Sequence, residues 1–286
     1  MKELSSTNAM TIDVEDWYNS SLDLFEDSDV AHGAKPDPSV VDNTLCTLEL
    51  LSKTNNKATF FVLGTVAEHY PDLVKEMMIQ GHEVATHGYA HNLVYKLTPQ
   101  QFEDDLKIAM EHLSNAGCCD VLGYRAPYWS ITKKSLWALD ILQRLGFKYD
   151  SSIFPIKRGL YGIPDANPDP HEISEDFWEF PPATVRMVGM NWPIAGGGYL
   201  RLVPYPIIAS AIRRSAGKKS RVFYFHPYEL DPSDVKLKHK IKSAGTLLYW
   251  MQQRLGRNSN PDKLRRLLSE HDFTSIKQIL SDQQVN

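Results

Sequence analysis

The sequence predicts an α/β protein whose strands run parallel in a sheet or barrel, and three observations carry that prediction. Short apolar runs alternate with helical patterns over the first 150 residues, joined by turns of ordinary length. Residues capable of chemistry, Asp13, His87, Arg125, Asp150 and His226, each follow the end of such a run. That is the strand end at which α/β folds and barrels place their sites. The 286 residues, 42% hydrophobic and 23% charged, have the profile of an ordinary globular chain with enough material for a large core.

Ala9 to Ile12 reads as a first buried strand ending at Asp13, and Glu15 to Tyr18 opens a long loop to about Pro38. Asp42 to Lys53 has leucines at helical spacing with an acid near its start. Ala58 to Gly64 is a continuous apolar strand closed by glycine. Thr65 to Gln80 reads as one helix with Gly81 just past its end, and Glu83 to Ala85 as the third strand. Thr98-Pro99-Gln100-Gln101 has the order of an N-cap, a proline at the first helical position and a glutamine at the third, so a helix should run to about Ala116. Val121 to Tyr124 forms a strand that ends at Arg125, Thr132 to Leu145 a helix stopped by Gly146, and Tyr149 a short strand entering Asp150.

Seven prolines break this rhythm over residues 155–198, where loops and short antiparallel strands are expected, among them Trp178 to Phe180 and Thr184 to Val188. Gly196-Gly197-Gly198 lacks the spacing of a phosphate loop and reads as a tight turn or a close backbone approach. Pro204 to Ser215 is helical, Arg221 to Phe225 is the last buried strand, and residues 238–257 and 262–280 are helical around a turn. One domain is expected over 1–286, with a catalytic barrel over about 10–230 and a helical extension over about 235–286.

The net charge of −4 gives no reason to expect nucleic-acid binding. Cys46, Cys118 and Cys119 form no disulfide framework and suit a reducing compartment. The N-terminus lacks the apolar core of a signal peptide and no apolar run reaches transmembrane length, so the cytoplasm is the expected location. Arg213-Arg214, Lys218-Lys219 and Lys236 to Lys242 read as solvated helix faces, with a peripheral membrane contact as the alternative.

His87 and His91 stand at i and i+4. On a helical turn they would share a face and reach one metal ion. With one carboxylate from the Asp13, Glu15 and Asp16 group they would leave coordination positions open, as catalytic zinc sites do. A second carboxylate can then act as general base and His226 as general acid, while Arg125 orients the base through a bidentate ion pair.

These residues fall into five motifs: Asp13-Val14-Glu15-Asp16, His87 with His91, Arg125-Ala126-Pro127, Asp150-Ser151-Ser152, and Phe225-His226. In this order the chain resembles the polysaccharide deacetylases of the NodB-homology type, carbohydrate esterase family 4. It is most similar to the branch with an Asp-Val-Glu-Asp-Trp opening and a Pro-x-x-Gly-Gly-Gly-Tyr-x-Arg segment, a branch found with polysaccharide or O-antigen assembly. The resemblance implies a distorted (β/α) barrel with fewer than eight regular units. It implies Asp13 as base, His87 and His91 as ligands of a divalent metal, zinc first, and Arg125 as the residue that fixes Asp13. The Tyr128 backbone N–H would hold the oxyanion, and His226 would be the acid, tuned by Asp150. The family's two acids are adjacent, whereas here they are separated: Glu15 shares the strand face of Asp13 by period two, and Asp16 would need a bulge, so either is the third ligand. Trp17, Trp129 and Trp192 are candidates for stacking on sugar rings. The implied reaction removes an N-acetyl group from an amino sugar in a polysaccharide or its lipid- or nucleotide-linked precursor. The alternatives are an allantoinase-like cyclic amide hydrolase and a non-catalytic carbohydrate-binding protein.

Overall fold

A computed structural model describes residues 7–17, 19, 33–159, 161–215, 220–231 and 244–284. Most of the loop after Trp17 and the basic stretches at Lys218-Lys219 and Lys236 to Lys242 lie outside the described residues.

The frame is laid by three buried strands. β1 (Asn8–Val14), β2 (Thr59–Val62) and β3 (Glu83–Thr86) pair in parallel, with Asp13 opposite Phe61 and Phe61 opposite Ala85. α1 (Ser39–Lys53) connects the first two strands. The single helix expected over 65–80 is two, α2 (Gly64–His69) and α3 (Pro71–Ile79). Pro71 has no N–H to give and pushes the preceding residue out of the helical region, so the chain breaks at Tyr70 (φ −134°, ψ 55°). Gly64 belongs to α2 rather than to the strand, and a Cβ there would lie 2.7 Å from the Tyr89 ring and 2.9 Å from Ala109 Cα.

α4 (Pro99–Asn115) starts on a complete capping box between Thr98 and Gln101, as the sequence predicts. β4 (Gly123–Tyr124), α5 (Trp137–Arg144) and β5 (Tyr149–Asp150) follow. α5 begins five residues later than expected because the Ser135 hydroxyl accepts the Thr132 N–H at 2.9 Å and holds residues 132–135 in a turn. The proline-rich stretch yields β6 (His171–Ser174) and β7 (Phe177–Glu179) at the edge of the main sheet, then a separate hairpin of β8 (Thr184–Met187) and β9 (Met190–Pro193). α6 (Gly197–Leu202), α7 (Tyr205–Ser215) and β10 (Val222–Phe225) complete the barrel portion.

The order β10-β1-β2-β3-β4-β5-β7 runs parallel and β6 closes the edge antiparallel, so the sheet curls into a half-barrel with fewer than eight regular units. Period two divides β1 between two cores. Met10, Ile12 and Val14 pack outward beneath the helices, with Leu51, Phe60 and Val66. Ala9, Thr11 and Asp13 face the interior, where Ala9 meets Phe61, Tyr149 and Phe180.

The C-terminal segment plugs the N-terminal end of that interior. α8 (Ala244–Arg254), α9 (Asn260–Glu270), β11 (Phe273–Thr274) and α10 (Ile276–Gln284) follow one another, and β11, a strand not expected, pairs with Asn8 and Ala9. Ile276 and Ile279 are fully buried in the interior core. The buried Glu83 carboxylate accepts the Lys277 N–H at 2.8 Å and the Thr59 hydroxyl at 2.6 Å. A chain ended at residue 240 is therefore expected to lose stability, because it uncovers Ala9 and Phe61 and leaves Glu83 short of a donor. A lowered urea midpoint against the full chain checks this, and an unchanged midpoint would mark residues 241–286 as an independent module.

Candidate active site

Three donors meet above the C-terminal ends of β1 and β3. Glu15 Oε2 lies 2.7 Å from His91 Nε2 and 3.6 Å from His87 Nε2. All three residues are buried, and their ligand atoms fall within 4.8 Å of one another. The histidines are not on a helical turn as expected. They sit on a loop, where Gly88 (φ 77°) and His91 (φ 59°) take left-handed backbone. Asp105 on α4 holds this loop by accepting the Tyr89 N–H at 2.8 Å and the Asn92 amide at 2.9 Å. A side chain at Gly88 would put its Cβ 2.9 Å from the same carboxylate. The strain of a left-handed histidine, of order 1 kcal/mol, is held by this bonding.

The donor set fits a divalent metal. His87 Nδ1 lies 2.8 Å from the Arg125 carbonyl, so it carries the proton and leaves the Nε2 lone pair facing the cluster. Two imidazoles and one carboxylate are a set that binds zinc while keeping positions open. Burial alone would push the Glu15 carboxyl up, but the charge of His91 and the hydrogen bonds from His87 and His91 hold it well below the usual carboxylate range.

Asp13 stands beside this set on the same strand face. Arg125, fully buried, donates from Nη1 to Asp13 Oδ1 at 2.7 Å and to the Thr11 hydroxyl at 2.8 Å. The ion pair is not bidentate. Nε and Nη2 turn instead to the carbonyl and hydroxyl of Ser151, at 3.2 and 2.8 Å. The guanidinium stacks between the Phe61 and Trp129 rings, 4.1 and 4.7 Å from their centroids.

His226 completes the group from the end of β10. Its Nε2 is 3.4 Å from Glu15 Oε1 and 4.0 Å from Asp13 Oδ2, and its Nδ1 is 3.6 Å from Glu229 Oε1. Tyr228 stacks on the ring at 4.9 Å. Burial works against the imidazolium, yet Glu229, Glu15 and Asp13 together raise the His226 pKa above its ordinary value. Glu229 is in turn lowered by His226, against its own burial. The expected tuning carboxylate, Asp150, is elsewhere. It accepts the Ser152 hydroxyl and N–H at 2.5 and 3.1 Å and faces Glu179 on β7, behind Arg125. Glu229 was not found from the sequence, although a 3-10 turn over Pro227–Glu229 brings it under His226 and the i+3 spacing was there to read.

The Asp150–Glu179 pair makes a prediction. Burial raises Asp150 to about 6, and burial with the Asp150 charge raises Glu179 well above its ordinary value. Both folded pKa values exceed the unfolded ones. The pair's contribution is thus fully present below about pH 4, and is lost as pH rises through the folded values. Glu179→Gln should flatten the fall in urea midpoint between pH 5 and 7, and an unchanged slope in the variant would show that the pair does not share a proton.

These residues line one cleft of about 180 Å³, with Tyr128, Trp129, Tyr161, Gly198 and Arg201 on its walls. Tyr128 and Trp129 are both left-handed, at φ 56° and 54°. The structure thus brings Asp13, Glu15, His87, His91, Tyr128, Trp129 and His226 together, with Arg125 directly behind them. It takes Asp16 away from the metal donors: after β1 the chain turns, and Asp16 Oδ2 accepts the Asp37 N–H at 3.0 Å. Trp17 is buried and Trp192 sits on β9; neither lines the cleft. Two of the three glycines are a close approach, as expected: a Cβ at Gly196 would meet the Tyr224 ring at 2.3 Å, and one at Gly197 the Glu229 carboxylate at 1.6 Å.

With this geometry in place, similarity to known proteins can be set beside it. Residues 25–149 match the family model of polysaccharide deacetylases, and residues 151–281 match a domain of unknown function, DUF3473. A peptidoglycan deacetylase of Helicobacter pylori is 33% identical over 106 residues, 37% of this chain and 35% of that protein. A chitooligosaccharide deacetylase of a Bradyrhizobium species is 33% identical over 105 residues, 35% of this chain and 45% of that protein. The match thus spans less than half the length of either relative. A candidate polysaccharide deacetylase from Mycobacterium smegmatis has a similar crystal structure, with a TM-score of 0.60 at 19% identity over 98% of this chain and 92% of that one, a likeness of fold. The boundary between the two family models falls at residue 150, inside the main sheet, where β5 pairs with β4 on one side and β7 on the other.

Proposed function

From a chain that carries a polysaccharide deacetylase domain of the NodB-homology, carbohydrate esterase family 4 type, we propose an enzyme that removes the N-acetyl group from an amino sugar in a polysaccharide or its lipid- or nucleotide-linked precursor. The observation that carries this reading is the division of labour in the cleft. Glu15, His87 and His91 form a metal-donor set separate from Asp13, which Arg125 holds, and from His226, which Glu229 holds. One divalent ion, zinc first, bound by Glu15, His87 and His91 would supply Lewis-acid polarisation of the amide carbonyl and of the attacking water.

The chain's own groups move the protons. Asp13 takes one from the water as its oxygen bonds to the acetyl carbon. The backbone N–H of Tyr128 holds the oxyanion that results. His226 gives its proton to the amide nitrogen, because an amine anion is a very poor leaving group. The C–N bond then breaks, leaving acetate and a free amino sugar. The walls support a sugar: Trp129, Tyr161 and Tyr228 offer aromatic surface beside polar groups.

The test is acetate release from an N-acetylated chitooligosaccharide, with metal analysis of protein purified under mild conditions. Acetate release, near-stoichiometric divalent metal, and loss of that metal in His87→Ala are expected. Ring opening of a small cyclic amide without acetate release would select the allantoinase-like alternative. Sugar binding with no turnover would select a carbohydrate-binding protein.

A further inference from the structure

Beside the catalytic cleft the molecule presents a face that gathers apolar and basic groups, and the one acid among the described residues lining its two clefts, Asp165, is paired. Its centre is the β8–β9 hairpin, which stands apart from the main sheet. At its tip Val188 is 95% exposed, and Met187, Met190 and Trp192 are each about half exposed. Between this hairpin and α7 lies an apolar cleft of about 360 Å³, walled by Val185, Trp192, Tyr199 and Ile207 among others. Four large apolar side chains exposed together on one hairpin, beside an apolar cleft, are the kind of surface that marks an interaction site.

Charge says what kind of partner. No Asp or Glu occurs between Glu179 and Glu229. At the chain's average, 35 acids in 286 residues, that stretch of 49 would hold about six; of its seven Lys and Arg, Arg201 lines the catalytic cleft, Arg221 pairs with Asp169, and Arg186 stands on the hairpin. Arg186 is in the hairpin, and with Lys157 and Arg158 it lines a second cleft of about 580 Å³ that shares Trp192 with the apolar one. The one acid on that wall, Asp165, is paired with Lys133 at 2.7 Å. An apolar tip with an aromatic residue and flanking cations is the pattern of a surface that settles into the headgroup region of an anionic bilayer. No helix among the described residues is long and apolar enough to cross a membrane, which fits docking on the surface.

The face also adjoins the chemistry. α6 is the partition: Gly198 and Arg201, three apart, line the catalytic cleft, while Tyr199 lines the apolar one. Arg158 donates to the Tyr199 hydroxyl at 2.7 Å, and Tyr161, on the catalytic wall, is near enough to the same residue to be raised in pKa by it, after burial.

We propose that the β8–β9 hairpin, with the adjoining face of α7, docks on an anionic lipid bilayer and sets the catalytic cleft beside the membrane surface. The consequence for substrate, a sugar presented on a lipid carrier, rests on the deacetylase reading; the docking itself does not.

The experiment is co-sedimentation of the full chain with vesicles of phosphatidylglycerol and phosphatidylcholine, against vesicles of phosphatidylcholine alone. Binding to the anionic vesicles that weakens with added salt is expected. Val188→Asp with Met190→Asp should weaken it at least tenfold, and Arg186→Glu should weaken it less. Both variants should release acetate from a soluble chitooligosaccharide at the unmodified rate. The proposal falls if the unmodified chain stays in the supernatant, or if the double variant sediments equally well. It also falls if there is no vesicle binding and the chain forms a dimer that the double variant dissociates, since the face would then join two copies. Vesicle binding without acetate release from any N-acetylated sugar would overturn the deacetylase reading and leave the docking intact.

Discussion

Asp13→Asn is expected to lower turnover on an N-acetylated chitooligosaccharide by about two to four orders of magnitude, the usual size of general acid–base assistance, while the bound metal stays at full stoichiometry. The two halves of this expectation come from one geometry. Asp13 shares the strand face of Glu15, but its Oδ1 is engaged by Arg125, and the candidate metal donors are Glu15, His87 and His91. Asparagine keeps the shape and an oxygen for Arg125 but cannot accept a proton at working pH. Metal analysis and acetate release on the same preparation check both halves. A variant with normal turnover would remove Asp13 as base, and a variant that lost its metal would make Asp13 a ligand.

Arg125→Leu is expected to be the most destabilising single change in the site, by about 3–5 kcal/mol, the usual cost of removing one partner from a buried ion pair. Leucine leaves the Asp13 carboxylate buried without its cation. It also removes the donors to Thr11 and Ser151 that tie β1 to the segment after β5. Adding Asp13→Asn to Arg125→Leu should recover part of the loss, since the stranded charge is then gone. Urea unfolding of the single and double variants measures this, and a double variant less stable than Arg125→Leu by the full single-variant cost of Asp13→Asn would show that the two residues are not coupled.

What could be read from the sequence follows from where each signal resides. β2 was legible because a strand buried on both faces is a nearly continuous apolar run, β1 and β3 because short apolar stretches stop at residues capable of chemistry, and α4 because its capping box is local. The break at Tyr70 was also written in Pro71, but helical periodicity on both sides masked it. β11 was not legible, since two residues carry no period and the strand exists only because β1 has an open flank at Asn8 and Ala9. In the site, period two put Glu15 on the face of Asp13, yet nothing local told that Asp16 would turn to the Asp37 N–H. Asp150 shows the same limit. It is turned away by the folded sheet, which sequence does not show, whereas Glu229 reaches His226 through a local i+3 turn that Pro227 could have signalled. Trp192 was singled out for being aromatic, a property that says nothing about which cleft a ring lines.

The pairing of β1 with β10 has a consequence for how the chain is made. Thr11 donates its hydroxyl to the Phe223 carbonyl, 212 residues away, so β1 leaves the ribosome long before β10, the strand that pairs with it there. At about 5–20 residues per second that wait is on the order of 10–40 s. By then Glu15, His87, His91 and Arg125 have all been synthesised, and β1, β2 and β3 can already pair. The unclaimed edge of β1 is exposed throughout that interval as a template for a wrong strand. Nascent chains should thus bring Glu15, His87 and His91 together early, need protection of one edge during synthesis, and gain His226 only when β10 arrives.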